Sequence, residues 1–111
     1  MKVVHIPIKT IKADGFAEGF KYSTLMEQVI LNPGPGGLPT DQLIKGAAIY
    51  FDFKKKLAEN PNGDWTWRIT PEQKGYLLSQ LDAMKWTPNQ LTVDLIIAFI
   101  NNVRESKEVD E

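Results

Sequence analysis

The 111-residue chain contains no cysteine, one histidine and only two arginines. Without cysteine it can form no disulfide, no thiolate nucleophile and no cysteine-ligated zinc or Fe–S site. The lone histidine, His5, excludes a histidine metal cluster, and no serine lies in the G-x-S-x-G context of a nucleophile elbow. The sequence therefore predicts no catalytic residue, no metal ligand and no cofactor. A small hydrolase that uses His5 is the least favoured alternative.

Long apolar runs are also absent. The longest, Leu95–Ile100, has six residues, whereas a membrane-spanning helix needs about 20. The first residues lack the apolar core of a signal peptide, so we expect a cytoplasmic protein with no membrane partner. The 13 basic and 14 acidic residues give a net charge of −1, which provides no overall attraction to nucleic acid.

Residues 4–9 and 64–69 each alternate apolar and polar side chains, as half-buried strands do. The turn signal Asp14-Gly15 follows the first segment, so a β-hairpin is predicted that pairs residues 3–12 with 16–22. Pro7 cannot donate to a strand ladder, which places this strand at an edge or turns Pro7 away from its partner. Trp65, Trp67 and Ile69 share one face of a short third strand.

Capping patterns predict about four helices. Thr24 with Glu27 fits a capping box for a helix ending near Leu31, and Thr40 would cap a second helix that reaches Leu57. Two further segments have a Thr N-cap followed by Pro at the first helical position: Thr70-Pro71-Glu72-Gln73 and Thr87-Pro88-Asn89-Gln90. Each predicts the start of a helix, and together they indicate a helical hairpin. The glycines and prolines of residues 32–37 predict a spacer loop, and residues 60–63 predict a turn.

These elements predict a single α+β domain over residues 1–104. It has an N-terminal β-hairpin plus a short third strand, packed against about four helices that end in a helical hairpin. Residues 105–111 form a polar C-terminal tail that is expected to fray. The second helix is predicted to have a broad apolar face, formed by Leu43, Ile44, Ala47, Ala48, Phe51 and Leu57 and widened by Ile49, Tyr50 and Phe53. Asp52 is expected to face solvent, where it could pair with Lys45, Lys55 or Lys56.

The last helix supplies the main functional prediction. Nine of the thirteen residues from Leu91 to Val103 are apolar, more than one buried face of a small domain needs. Ile96, Ile97 and Ile100 are therefore predicted to form a contact surface for another protein or for a second copy of the chain. Trp65 and Trp67 are either core residues or interface hot spots.

Nucleic-acid binding is the alternative. Lys54, Lys55 and Lys56 could form a basic patch with Arg68, although lysines in a last helical turn also suit the helix dipole. A second form of this alternative is an aromatic platform for single strands. Its candidate rings and lysines are Phe16, Phe20, Tyr22, Trp65 and Trp67 with Lys9, Lys12 and Lys21.

The order of elements resembles small uncharacterised proteins encoded by tailed bacteriophages and prophages. The matching stretches are Ser23-Thr24-Leu25-Met26 through Leu31, Leu43 through Leu57, and Trp65 through Val103. The resemblance implies a phage origin and a phage or host protein as the partner. A virion component, an assembly factor and an inhibitor of a host machine all stay open. The resemblance brings no active site with it.

Overall fold

The computed structural model describes residues 1–33, 36–61 and 64–111. These residues form four helices and five strands, in the order β1 Lys2–Ile8, β2 Thr10–Ala13, β3 Phe16–Lys21, α1 Tyr22–Ile30, α2 Thr40–Glu59, β4 Trp65–Ile69, α3 Pro71–Ala83, α4 Val93–Arg104 and β5 Glu108–Asp110. The α+β class is confirmed. The predicted loop at 32–37 and turn at 60–63 include Gly34, Pro35, Asn62 and Gly63, which lie outside the described residues.

The central sheet has the strand order β4-β1-β5, with both pairings antiparallel. Ile6 lies opposite Trp67, and Val4 lies opposite Ile69. These four side chains are buried, so one face of the sheet meets the core. Helices α3 and α4 pack on β1, and α1 packs on α2 and α3.

The N-terminal hairpin is shorter than the sequence indicated. Only β2 and β3 pair, through the Asp14-Gly15 turn in which Gly15 has a φ of +87°. Residues 2–8 instead join β4 and β5, so the pairing of residues 3–8 in the hairpin is wrong. Alternation shows that a segment is a strand but not which strand it pairs with. At Lys9 the chain leaves the central sheet, and its carbonyl accepts from the Tyr22 amide at 2.9 Å.

Pro7 lies where β1 has a neighbour on one side only. Strand β5 reaches no further along β1 than Val4, while β4 continues past Pro7. The His5 amide donates to the Lys107 carbonyl, and the Pro7 carbonyl accepts from Asn102 Nδ2 at 2.8 Å, both away from β4. Pro7 thus faces away from its paired strand, which is the second of the two predicted placements.

The C-terminal tail is ordered, so the prediction that residues 105–111 fray is wrong. Residues Glu108–Asp110 pair with Lys2–Val4, and the Glu111 amide donates to the Met1 carbonyl at 2.8 Å. The Glu111 carboxylate contacts His5 Nε2 at 2.8 Å and also pairs with Arg68. Main-chain pairing and this carboxylate hold a segment whose side chains are nearly all polar.

One of the four predicted helix caps forms. Thr70 Oγ1 accepts from the Gln73 amide at 3.1 Å, and Gln73 Oε1 accepts from the Thr70 amide at 2.9 Å, a complete capping box. The predicted caps at Thr24 and Thr40 are wrong, because α1 begins at Tyr22 and Thr40 lies inside α2.

The predicted start at Thr87 is also wrong, since α4 begins at Val93. The side chain of Asn89 accepts from the amides of Leu91 at 2.9 Å and Thr92 at 3.1 Å. The Asn89 carbonyl also accepts from the Val93 amide at 3.0 Å, the spacing of a first helical bond. Asn89 therefore caps the turn that leads into α4, two residues after the predicted cap.

A buried glutamine joins three helices. Gln80 is 2% exposed, and its Nε2 donates to the carbonyls of Val29, Ile30 and Asn32 at 3.1, 3.3 and 3.0 Å. Its Oε1 accepts from Gln42 Nε2 of α2 at 2.7 Å. Because the last carbonyls of a helix lack partners within it, Gln80 caps α1 from α3.

Candidate functional site

Part of the apolar face predicted for α2 lies outside the core. The buried residues of α2 are Gly46, Ile49 and Phe53, and Tyr50 and Leu57 pack against the core, while Ile44 is 64% exposed and Phe51 is 68% exposed. The prediction is therefore wrong for the side of the helix that carries Ile44 and Phe51. We call this side the α2 face; its apolar residues are Leu43, Ile44, Ala48 and Phe51, which are exposed, and Ala47, which is partly exposed.

Contacts on the opposite side set the rotation of α2. A side chain at Gly46 would collide with the Tyr76 hydroxyl, which donates to the Ile30 carbonyl at 2.7 Å. Asp52 Oδ2 accepts from Trp67 Nε1 at 3.0 Å, so the prediction that Asp52 only faces solvent is wrong. These close approaches need Gly46 and Asp52 on the inner side. Helical geometry then turns Ile44 and Phe51 outward.

The α2 face has the spacing of a helix-docking stripe. Ile44 and Phe51 lie seven residues apart, or two turns, and Ala47 and Ala48 fill the turn between them. A large side chain thus stands at each end of a shallow central gap. Such a stripe lets another helix approach closely at the alanines, with the large side chains in contact at either end.

The structure separates the three isoleucines that were predicted to act together on α4. Ile97 is 50% exposed, while Ile96 and Ile100 are partly buried and pack against the core. Val93 and Leu91 are also exposed, but Leu91 lies before the helix begins. On α4 the accessible apolar surface is therefore smaller than on α2, with Ile97 at its centre.

The tryptophans mainly serve the core. Trp67 is 1% exposed and packs edge-on against Phe53, with ring centroids 4.8 Å apart. Its assignment as a partner-binding residue is therefore wrong. Trp65 stacks on the same Phe53 ring at 5.7 Å and is partly buried, so part of its side chain stays accessible.

The four residues of the predicted basic patch do not form one surface. Successive residues of a helix point about 100° apart, so Lys54, Lys55 and Lys56 diverge. Lys54 Nζ bonds Glu27 Oε1 at 2.7 Å, and this hydrogen bond and the Glu27 charge raise the pKa of Lys54. Arg68 pairs with Glu111. Two of the four cations are thus matched by carboxylates.

The predicted aromatic platform is also not assembled. Phe20, Tyr22 and Trp67 are buried, and Tyr22 packs against Phe99 at 5.2 Å. A depression between the β2–β3 hairpin and the end of α2 does contain the three lysines of this hypothesis. Carboxylates line the same depression, so it has no single sign of charge; its ionisable residues are Lys9, Lys12, Lys21, Asp14, Glu18 and Asp64.

Within residues 1–33, 36–61 and 64–111, no cluster of three or more histidine and carboxylate residues could hold a metal ion. No helix in this part of the chain is long and apolar enough to cross a membrane. Comparisons with protein-family models, with curated proteins and with solved structures found no match to the chain.

Proposed function

We propose that this chain is a non-enzymatic protein–protein interaction module whose main docking surface is the α2 face. The observation that carries the proposal is the outward position of Ile44 and Phe51 on a 20-residue helix whose other side is fixed in the core. A contiguous exposed apolar patch with polar surroundings marks interaction sites in soluble proteins. Large side chains such as Phe51 are typical interface anchors.

We further propose a phage-encoded protein whose partner is a phage or host protein, or a second copy of the chain. This part rests on the resemblance of its layout to small proteins of tailed bacteriophages. The cytoplasm of the infected host is the proposed location. A basic surface for nucleic acid is not proposed, since the cations of the alternative hypothesis point apart or pair with carboxylates.

The proposal is tested by replacing Phe51 with aspartate. Phe51→Asp should keep the thermal midpoint, because the side chain is outside the core, and should abolish binding to the physiological partner. Ile97→Asp is the matched control, an equally drastic change at an exposed apolar residue of another helix. Binding is measured with purified partner, first identified by affinity purification from infected cells with the wild type and both variants.

Two results would overturn the proposal. One is a purified partner that binds Phe51→Asp as tightly as the wild type. The other is the absence of any protein, including the chain itself, that binds the wild type and is lost with Phe51→Asp. Equal loss with Ile97→Asp would move the docking surface to α4.

A further inference from the structure

We infer that the α2 face binds the α2 face of a second copy, with the two helices antiparallel and a twofold axis between Ala47 and Ala48. This inference rests on the proposed function and names the partner. In such a pair, residue n of one copy lies level with residue 95 − n of the second copy. Ile44 is then level with Phe51 of the second copy, and Ala47 with Ala48.

The sizes along the α2 face are self-complementary in this arrangement. Ile44 and Phe51 flank the alanines on both sides, so the small residues of two copies meet at the centre and the large ones meet at the ends. Alanine at the crossing point lets two helices approach to about 8 Å, the lower end of the usual separation. An isologous contact of this kind closes after two copies.

Charge favours the antiparallel direction over the parallel one. In the antiparallel pair the exposed Asp41 lies within one residue of the level of Lys55 on the second copy. In a parallel pair Lys55 would instead lie beside Lys55 of the second copy, and Asp41 beside Asp41 of the second copy. Like charges placed together are unfavourable, and opposite charges near the apolar contact are favourable.

The area indicates a weak dimer. The interface uses one face of a helix about 30 Å long, and its large side chains are 49–68% exposed in one copy. Such a contact belongs to the transient class that buries less than about 1,200 Å² in total. Association is therefore expected at high micromolar protein concentration, with monomer dominating on dilution.

Sedimentation equilibrium over a wide concentration range tests the self-association. The wild type should approach twice the monomer mass at high concentration, and Phe51→Asp should stay monomeric with an unchanged melting temperature. Ile97→Asp should behave as the wild type does. A wild type that stays monomeric up to millimolar concentration would overturn the inference, and so would a dimer that Phe51→Asp leaves intact.

Single cysteines test the direction of the pair, because the chain has no other cysteine. A disulfide needs Cα atoms within about 7 Å. In the antiparallel pair the two substituted positions of Ala47→Cys lie close together, one on each copy. The two substituted positions of Ile44→Cys are seven residues apart, or about 10 Å along the axis.

Ala47→Cys should therefore cross-link on mild oxidation, and Ile44→Cys should do so only when mixed with Phe51→Cys. Cross-linking of Ile44→Cys alone would show a parallel pair and refute the arrangement. If no variant cross-links and the wild type is monomeric, the second copy is excluded. The wider proposal then depends only on whether Phe51→Asp loses an identified heterologous partner.

Discussion

Replacing Gln80 with leucine should destabilise the domain by about 1–3 kcal/mol. Leucine preserves much of the buried volume but removes the amide that donates to the end of α1. The carbonyl of Val29 keeps the Asn32 amide as a donor at 3.3 Å, and that of Ile30 keeps the Tyr76 hydroxyl at 2.7 Å.

The Asn32 carbonyl is the main loss. Gln80 Nε2 donates to it at 3.0 Å, and no other donor contacts it within the described part of the chain. Asn32 is only partly buried, so losing its donor costs toward the lower end of the about 1–3 kcal/mol of an unmet buried acceptor, and a carbonyl that keeps a second donor loses less. For a domain of this size, 1 kcal/mol corresponds to roughly 4 °C in the melting temperature.

Urea unfolding of Gln80→Leu and Asn60→Leu separates this effect from the loss of a surface bond. Asn60 Nδ2 donates to the Lys56 carbonyl near the end of α2 at 3.0 Å in an exposed position, so Asn60→Leu should cost less than about 1 kcal/mol. If Gln80→Leu costs no more than Asn60→Leu, Gln80 does not act as the cap of α1.

Three further predictions concern stability. Gly46→Ala should cost about 1–3 kcal/mol in urea unfolding despite the helix propensity of alanine, because the methyl group would strike the Tyr76 hydroxyl; the unconfined Gly75→Ala should not. Deleting residues 107–111 should lower the free energy of unfolding by roughly 1–3 kcal/mol, since it exposes β1 and releases Glu111; an unchanged midpoint would contradict this. Burial raises the pKa of Tyr22 and Tyr76 above 10.0, so their neutral forms stabilise the fold fully below pH 10 and this contribution is lost above it. Thermal midpoints from pH 8 to 11 should fall, and a rise above pH 10 would refute the assignment.

Structure that depends on neighbouring residues could be predicted from the sequence, whereas contacts between residues far apart in the chain could not. The Thr70 capping box depends on residues three apart and forms as expected. The same reasoning failed at Thr87, because Asn89 takes the capping position two residues later and its side chain accepts from the amides of Leu91 and Thr92. No local rule weighs a threonine cap against an asparagine turn two residues later, since both satisfy the backbone.

Which side of α2 is buried could not be predicted from the sequence either. Apolar residues lie on both sides of this helix, so the hydrophobic pattern does not choose which side is buried. One signal was present: Gly46 in the middle of a helix is unfavourable, and such a glycine often marks a close approach. The polar contacts of Asp52 with Trp67 and of Gln42 with Gln80 left no comparable pattern in the sequence.

Ile44 and Phe51 of the α2 face have no role in the stability of one copy that the structure reveals. Isoleucine and phenylalanine are weaker helix formers than lysine or glutamate, so Ile44 and Phe51 do not favour the helix at exposed positions. Their side chains contribute little buried area, since each is more than 60% exposed. A monomer would be as stable with polar residues there and less prone to associate. The proposed function assigns these residues to a contact surface, and the separation of binding from folding at Phe51 is the measurement that tests this assignment.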